Sequence, residues 1–488
     1  MSRILVLLLL LCSLLNTAWH SQSWVVNVFD IPEELPAQQC QEAKEKGIDY
    51  TASIPSPPDA PNPLPFPEVK EVQAPVSGSL PKLSKGLRYP KEFLPENLPL
   101  QPLEGYYEDI AAVGEILRRA DQGERIRISV FGASHTGGDY WTGHLRRVLQ
   151  ARYGDIGHGF TMPVPLYSGA RGSDINLCSN GEWTKDYVGR KDGHNDDLLG
   201  LGMSVSSSSP SDFAWLENTH SNPIGRKASI YEIFSLGQFG GGSLLAQVDR
   251  NTPILIPTHV ESTELIHTRI ETSEGSHRLT LSPAGDGEVR IFGVSVERPG
   301  PGVLVDSIGI RGREARTWLK WNEALFQKSL HVLDPDLIIL AYGTNEANDS
   351  DYRMENYRED LRKVLAKMRR ASPDEACILV GPSDRAVEER NGRYRVWERT
   401  ESVAQIQREV APEFNCVSWD WQQATGGKGS MVAWRFTDPP LAGRDLIHFT
   451  AEGYIHSAEF FLAALDDASL HYRKNIRRPF FRSRKKLR

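Results

Sequence analysis

Apolar residues first appear as one unbroken run, Ile4 to Leu15 behind Met1-Ser2-Arg3, and then lose regular spacing. From about Thr51 to Pro102 prolines are dense and no apolar period survives, which predicts an extended linker without a core of its own. Regular spacing begins at Ile110, Val113 and Leu117, one face of a helix that Asp121-Gln122-Gly123-Glu124 terminates. The strand RIRISVFG follows, turns at Gly132-Ala133-Ser134-His135, and leads into an amphipathic helix. Downstream the alternation repeats: strand GVLVDSIGI, a helix from Glu314 to about Leu333, strand DLIILAYG, a helix from Tyr352 to Arg370 and strand ACILVG. A helix around Glu401 to Val410, strand FNCVSWD and a last helix from Ala451 to about Leu465 complete it. Strands alternating with helices predict βαβ units around a parallel sheet, and LIIL and CILV read as strands covered on both faces.

Between Thr161 and Pro301 this pattern breaks. Long helical periodicity disappears, and Gly, Ser and Thr punctuate short candidate strands such as PILIPTHV, HRLTLSP and VRIFGVSVE. The stretch predicts an inserted β-rich domain, with a sandwich preferred over an extended loop system, which would be unusually long without its own core. The expected organisation is a leader at 1–23, an N-terminal segment and linker at 24–102, a first α/β part at 103–160, the insertion at 161–301, a second α/β part at 302–470 and a basic tail at 471–488.

Charge and cysteine content refine this picture. The leader has the charge order of a secretory signal peptide, so an exported protein, periplasmic or extracellular, is expected. Without it Cys40, Cys178, Cys377 and Cys416 remain, and pairing of Cys377 with Cys416 requires that their strands be neighbours. The formal net charge is −7, although residues 473–488 carry nine Lys or Arg and no acid. That tail suits an anionic polymer or a membrane surface, or is simply solvated; nothing else suggests nucleic acid.

In an open parallel sheet, ligands bind where loops gather at the carboxyl ends of the strands. Four such loops carry suggestive residues: Ser134 after the first strand, Gly309 and Gly312 in GIRGRE, Gly343 and Asn345 in YGTNE, and Asp445 and His448 in RDLIHFT. Acyl transfer by serine requires a base, a group that orients the base, and N–H donors for the developing oxyanion. Asp445 and His448 sit three apart on one turn, so the carboxylate can hold one imidazole nitrogen while the other faces Ser134. Taken alone, Ser134 also reads as a helix cap, and Gly312 and Asn345 as turn formers.

The four blocks in this order resemble the SGNH, or GDSL-type, serine hydrolase superfamily. The resemblance implies a flavodoxin-like three-layer α/β hydrolase domain, here interrupted by a β-sandwich-like insertion. It implies Ser134 as nucleophile, His448 as base, Asp445 as its orienter, and an oxyanion hole from the N–H groups of Ser134 and Gly312 with the Asn345 side chain; Gly309 is the competing glycine. Ala133 departs from the family's usual Asp, with Asp139 or His135 as candidate substitutes. The insertion, with RYGDIGHGF before it and VRIFGVSVE near its end, resembles bacterial peptidoglycan O-acetylesterases carrying a carbohydrate-binding-like module. The expected activity is an exported esterase that removes O-acetyl or similar groups from cell-wall or other polysaccharide through an acyl-enzyme, without metal or other cofactor. An O-acyltransferase using the same triad, or a weakened glycan-binding protein on this fold, are the alternatives.

Other features read more plainly. Asp192 to Asp197 contains ligand types for calcium but reads as a solvated acidic loop. TGGKGS lacks the spacing of a phosphate loop. Trp183, Tyr187, Trp215 and Phe239 could stack on sugars, with core packing the simpler reading.

Overall fold

The computed structural model describes residues 69–75, 80–167, 172–218 and 224–475, with side chains as far as Leu470. The expected leader, Cys40 and residues 476–488 of the basic tail lie outside the described residues.

Five strands form the parallel sheet: β1 (Arg125–Gly132), β2 (Gly302–Gly309), β3 (Leu337–Ala341), β4 (Ala376–Val380) and β5 (Val417–Trp419). Their spatial order is β2-β1-β3-β4-β5, the flavodoxin-like order, with β1 paired to β2 and β3 on either side. Alternate residues of these apolar strands serve two cores. Ile128, Val305, Ile339 and Ile378 pack with Trp141 and Leu145 of helix α2 (Tyr140–Tyr153), with α1 (Tyr107–Asp121) and with α6 (Ala451–Asn475). Ile338, Leu340 and Leu379 face the other way, toward α3 (Glu323–Leu333), α4 (Met354–Ala371) and α5 (Arg399–Val410). The result is three layers, with the sheet dry on both sides.

Between α2 and β2 the chain builds two antiparallel sheets from strands that run from Gly159–Thr161 to Val289–Glu297. Tyr231, Phe234 and Val294 of one sheet and Leu216, Leu244 and Leu281 of the other belong to one buried cluster, as in a sandwich. A buried ion network joins this insertion to the parallel sheet. Arg127 of β1 donates to Asp306 of β2 (2.9 Å) and to Glu297 at the insertion's last strand (2.9 Å), while Asp306 also accepts from the Phe160 N–H (2.8 Å). Burial alone would weaken the hold of Arg127 on its proton, but Asp306 and Glu297 more than offset that and keep it firmly protonated.

Several elements differ from expectation for identifiable reasons. The helix expected from Glu314 is a 3-10 turn, Ala315–Lys320, followed by a break at Trp321-Asn322. Trp318 and Trp321 turn inward to stack on each other (4.7 Å) and to meet Phe131, and the Asn322 side chain then caps α3 by accepting from Leu325 N–H. The proline-rich segment does not remain free of the domain along 69–75 and 80–102: Val72 and Leu83 are buried, and Phe93 O accepts from the Trp434 indole N–H. A hairpin, Ala386–Glu388 with Tyr394–Val396, follows β4. Cys377, in β4, is disulfide-bonded to Cys416, just ahead of the neighbouring β5.

Candidate active site

At the carboxyl end of β1, Gly132 lies level with Gly309 of β2 and Ala341 of β3. A Cβ at Gly132 would collide with Thr136 Oγ1 and crowd Ala341 O, so only glycine lets the chain turn this tightly into the short helix Ser134–Gly137. The turn places Ser134 at the sheet's rim. Its Oγ lies 2.8 Å from His448 Nε2, and His448 Nδ1 lies 2.6 Å from Asp445 Oδ2. Since the carboxylate accepts from Nδ1–H, Nε2 is left free to accept from the serine hydroxyl.

The Asp445–His448 turn is fixed by its own backbone and by neighbours. Asp445 Oδ1 accepts from the N–H groups of Ile447 and His448 (both 3.1 Å), and Leu446 takes a left-handed φ of 55°. The hairpin after β4 clamps that residue, because Ala386 N–H donates to Leu446 O (3.2 Å). Burial would raise the Asp445 carboxyl, but the His448 ring and the two N–H bonds outweigh it and hold the group below the ordinary carboxylate range. Thr450 then caps α6, accepting from Gly453 N–H at 3.2 Å.

His135 packs behind His448 with ring centroids 5.0 Å apart and is bonded to the Tyr454 hydroxyl at 2.8 Å. Burial, and then the neighbouring His448, lower it to about 3, so the imidazole stays neutral and puts no cation behind the base. Asp139, a candidate substitute for the acid missing at Ala133, touches the turn only through its backbone, its N–H donating to Thr136 O (2.9 Å). Its carboxylate accepts two bonds from Arg146 (3.0 Å each), one from Thr142 (2.6 Å) and one from Ser173 N–H (2.7 Å).

The two candidate glycines have different surroundings. Gly309 packs backbone to backbone on Gly137, and its carbonyl accepts from the Tyr167 hydroxyl (3.2 Å). Gly312 is exposed, has φ 71°, and has open space where a Cβ would stand. Asn345 lies beside it, since one of its side-chain N–H groups donates to Arg313 O (2.9 Å). Glu346, not singled out from sequence, ties the two loops together. It is fully buried, one carboxylate oxygen accepting from Ala315 N–H (2.8 Å) and the other from Gly343 N–H (2.9 Å). Desolvation, partly offset by these bonds, raises its carboxyl to about 7.

The remaining candidates fall elsewhere. Asp196 pairs with the buried Arg290, and Asp192 with Arg190. The TGGKGS loop does cradle an anion, but the chain's own: Gly429 and Met431 N–H donate to the buried Asp384. Trp183 and Trp215 are buried; Tyr187 lies under Arg313 at 5.4 Å, and Phe239 is exposed.

A flavodoxin-like sheet with a Ser–His–Asp chain at its carboxyl edge defines the class: the chain carries a GDSL-like hydrolase domain, that of an esterase. Residues 281–455 match the model of the GDSL-like lipase/acylhydrolase family. That match leaves Ser134 outside it, because the insertion separates the first strand from the rest. Among solved structures, the chain is similar to one described as a peptidoglycan O-acetylesterase in action, with 25% identity, 75% of this chain and 98% of that chain covered, and a TM-score of 0.63. Family two carbohydrate esterases from Cellvibrio japonicus (11% identity, 61% and 98% covered, TM-score 0.25) and from Clostridium thermocellum in complex with cellohexaose (12%, 61% and 99%, 0.26) also match. Nothing among the curated proteins matches the chain.

Proposed function

We propose that the protein is an exported esterase that removes O-acetyl groups from cell-wall polysaccharide, peptidoglycan foremost, through an acyl-enzyme on Ser134. The observation that carries this reading is the continuous chain Ser134 Oγ, His448 Nε2, Nδ1, Asp445 Oδ2, at 2.8 and 2.6 Å. Ser134 attacks the ester carbonyl while His448 takes its proton, and Asp445 stabilises the imidazolium without itself becoming protonated. The backbone N–H groups of Ser134 and Gly312 and the second N–H of Asn345 receive the oxyanion. The protonated His448 then releases the sugar hydroxyl, and water activated by the same imidazole frees acetate and Ser134. The similarity to a peptidoglycan O-acetylesterase over three quarters of the chain supports the substrate, and the charge order at Met1 to Leu15 supports export.

The test is acetate release from O-acetylated peptidoglycan by the purified protein and by Ser134→Ala. A fall of at least about a thousandfold in the variant is expected. Equal rates for the two proteins, or transfer of acetyl to a sugar hydroxyl with no free acetate, overturn it.

A further inference from the structure

Among the described residues most arginines are held by carboxylates, but one beside the triad is not. Arg385 lies in the loop between β4 and the hairpin that clamps the Asp445–His448 turn. Its guanidinium lies over the ring of Trp397 at 5.0 Å, and Arg395 covers the same indole at 4.9 Å. Trp397 is itself fixed, its indole N–H donating to Ala347 O on the segment that carries Asn345 (2.6 Å). Arg385 makes no ion pair and no side-chain hydrogen bond among the described residues, and its Nε is buried without a partner. The loss of water lowers its affinity for the proton, and the carboxylate whose field reaches it is Asp445, beyond pairing distance. A guanidinium that has lost part of its water is normally paired, because taking charge out of water is costly; one indole face returns only about 0.5–2 kcal/mol.

The other cations at this edge are differently placed. Arg313 pins the insertion, donating to Val188 O (2.8 Å) and lying over Tyr187. Arg311, half-buried like Arg385, sits in the GIRGRE loop after β2 and is not on the hairpin that clamps the catalytic turn. Arg313 likewise has no ion pair among the described residues and a buried Nε without a partner, but its guanidinium is occupied by Val188 O; Arg385 has no hydrogen-bond acceptor among the described residues, and the next residue, Ala386, holds the catalytic turn.

We infer that Arg385 is the seat of a carboxylate of the substrate, so that the esterase acts on saccharides bearing an acid close to the acetyl ester. A carboxylate matches the planar fork of a guanidinium with two parallel bonds, which a neutral sugar cannot offer. This inference rests on the esterase reading above. In peptidoglycan the carboxylate has two sources: the lactyl group of muramic acid where the peptide has been removed, or the stem peptide where it remains.

The experiment compares kcat and KM for three O-acetylated substrates: N-acetylmuramic acid, its methyl ester, and the same sugar carrying a stem peptide. Wild type, Arg385→Gln and Arg385→Lys are measured, with folding checked by melting temperature. The expected result is a preference of at least tenfold for the acid over the methyl ester in the wild type, carried by KM, lost in Arg385→Gln and partly kept in Arg385→Lys. A peptide-bearing substrate that behaves like the acid identifies the stem as a source of the carboxylate; one that behaves like the methyl ester identifies the lactyl group. Equal use of acid and methyl ester by the wild type overturns the inference. So does an equal fall on all three substrates in Arg385→Gln, which would make Arg385 only a support for Asp445. Failure of the esterase reading shows separately, as undiminished turnover of these substrates by Ser134→Ala.

Discussion

Glu346→Gln tests how the oxyanion donors are positioned. The carboxylate gives one oxygen to Ala315 N–H and the other to Gly343 N–H, at 2.8 and 2.9 Å, and so holds the Gly312 loop against the turn that carries Asn345. Glutamine has nearly the same shape but a single acceptor, so one buried N–H must face an NH2 group. An unsatisfied buried donor costs about 1–3 kcal/mol. If the Gly312 loop yields to relieve it, an oxyanion donor moves, which costs about a hundredfold or more in kcat. The expected outcome with p-nitrophenyl acetate above pH 8 is therefore a fall in kcat of at least tenfold with little change in KM.

The same residue makes a prediction of opposite sign for stability. Its carboxyl is raised from 4.5 to about 7 in the folded protein by burial, so between those values the folded state holds a proton that the unfolded state has released. Its stabilising contribution is complete below about pH 4.5 and is lost as pH rises through about 7, a change worth about 3 kcal/mol. Activity, which uses both carboxylate oxygens, rises over the range in which this contribution falls. The melting temperature of the wild type relative to Glu346→Gln is thus expected to be higher at pH 5 than at pH 8. A variant that keeps kcat within twofold, or a melting difference that is flat with pH, refutes the latch.

Three further perturbations follow from contacts outside the triad. Asp139→Ala leaves the buried Arg146 with the Val305 O bond (3.0 Å) and, for an ion pair, the longer Asp174 contact (3.4 Å), and a loss of about 3 kcal/mol is expected by urea unfolding; less than about 1 kcal/mol would contradict the pairing. Gly137→Ala puts a methyl group into the Tyr167 hydroxyl beside Gly309 O, so kcat is expected to fall about tenfold, with partial recovery when Tyr167→Phe is added. Removing the Cys377–Cys416 bridge, which spans 39 residues, is expected to cost about 4 kcal/mol, read as a lower melting temperature for the double Ser variant; an unchanged temperature would refute it.

The parallel sheet was legible because its signal is local. Ile338, Ile339 and Leu340 are apolar on consecutive positions, as a strand buried on both faces requires, and the helices between the strands carry one apolar stripe each. What misled the local pattern was tertiary demand. Residues 315–333 have helical composition throughout, yet Trp318 and Trp321 both turn toward Phe131 and Phe326, and the continuous helix gives way at Asn322. The segment before residue 103 reads as a free linker because Pro75, Pro81 and Pro90 interrupt its apolar positions before a period can build up, even though the domain surface covers Val72 and Leu83.

A similar division runs through the site. Ser134, Asn345, Asp445 and His448 announce themselves because acyl transfer needs those functional groups, and because Asp445 and His448 touch within a single turn, so spacing alone implies the contact. Glu346, Tyr167 and Arg385 have no such signature. Glu346 resembles any acid at the start of a short helix until Ala315, 31 residues earlier, is found donating to it. Tyr167 matters through Gly309 O, 142 residues later. Arg385 is notable for an ion-pair partner missing among the described residues, which a sequence cannot record. The chemical groups of such a site are written in short motifs, whereas the contacts that hold them at bonding distance are made by residues whose types are common everywhere and whose meaning arises only when the chain closes on itself.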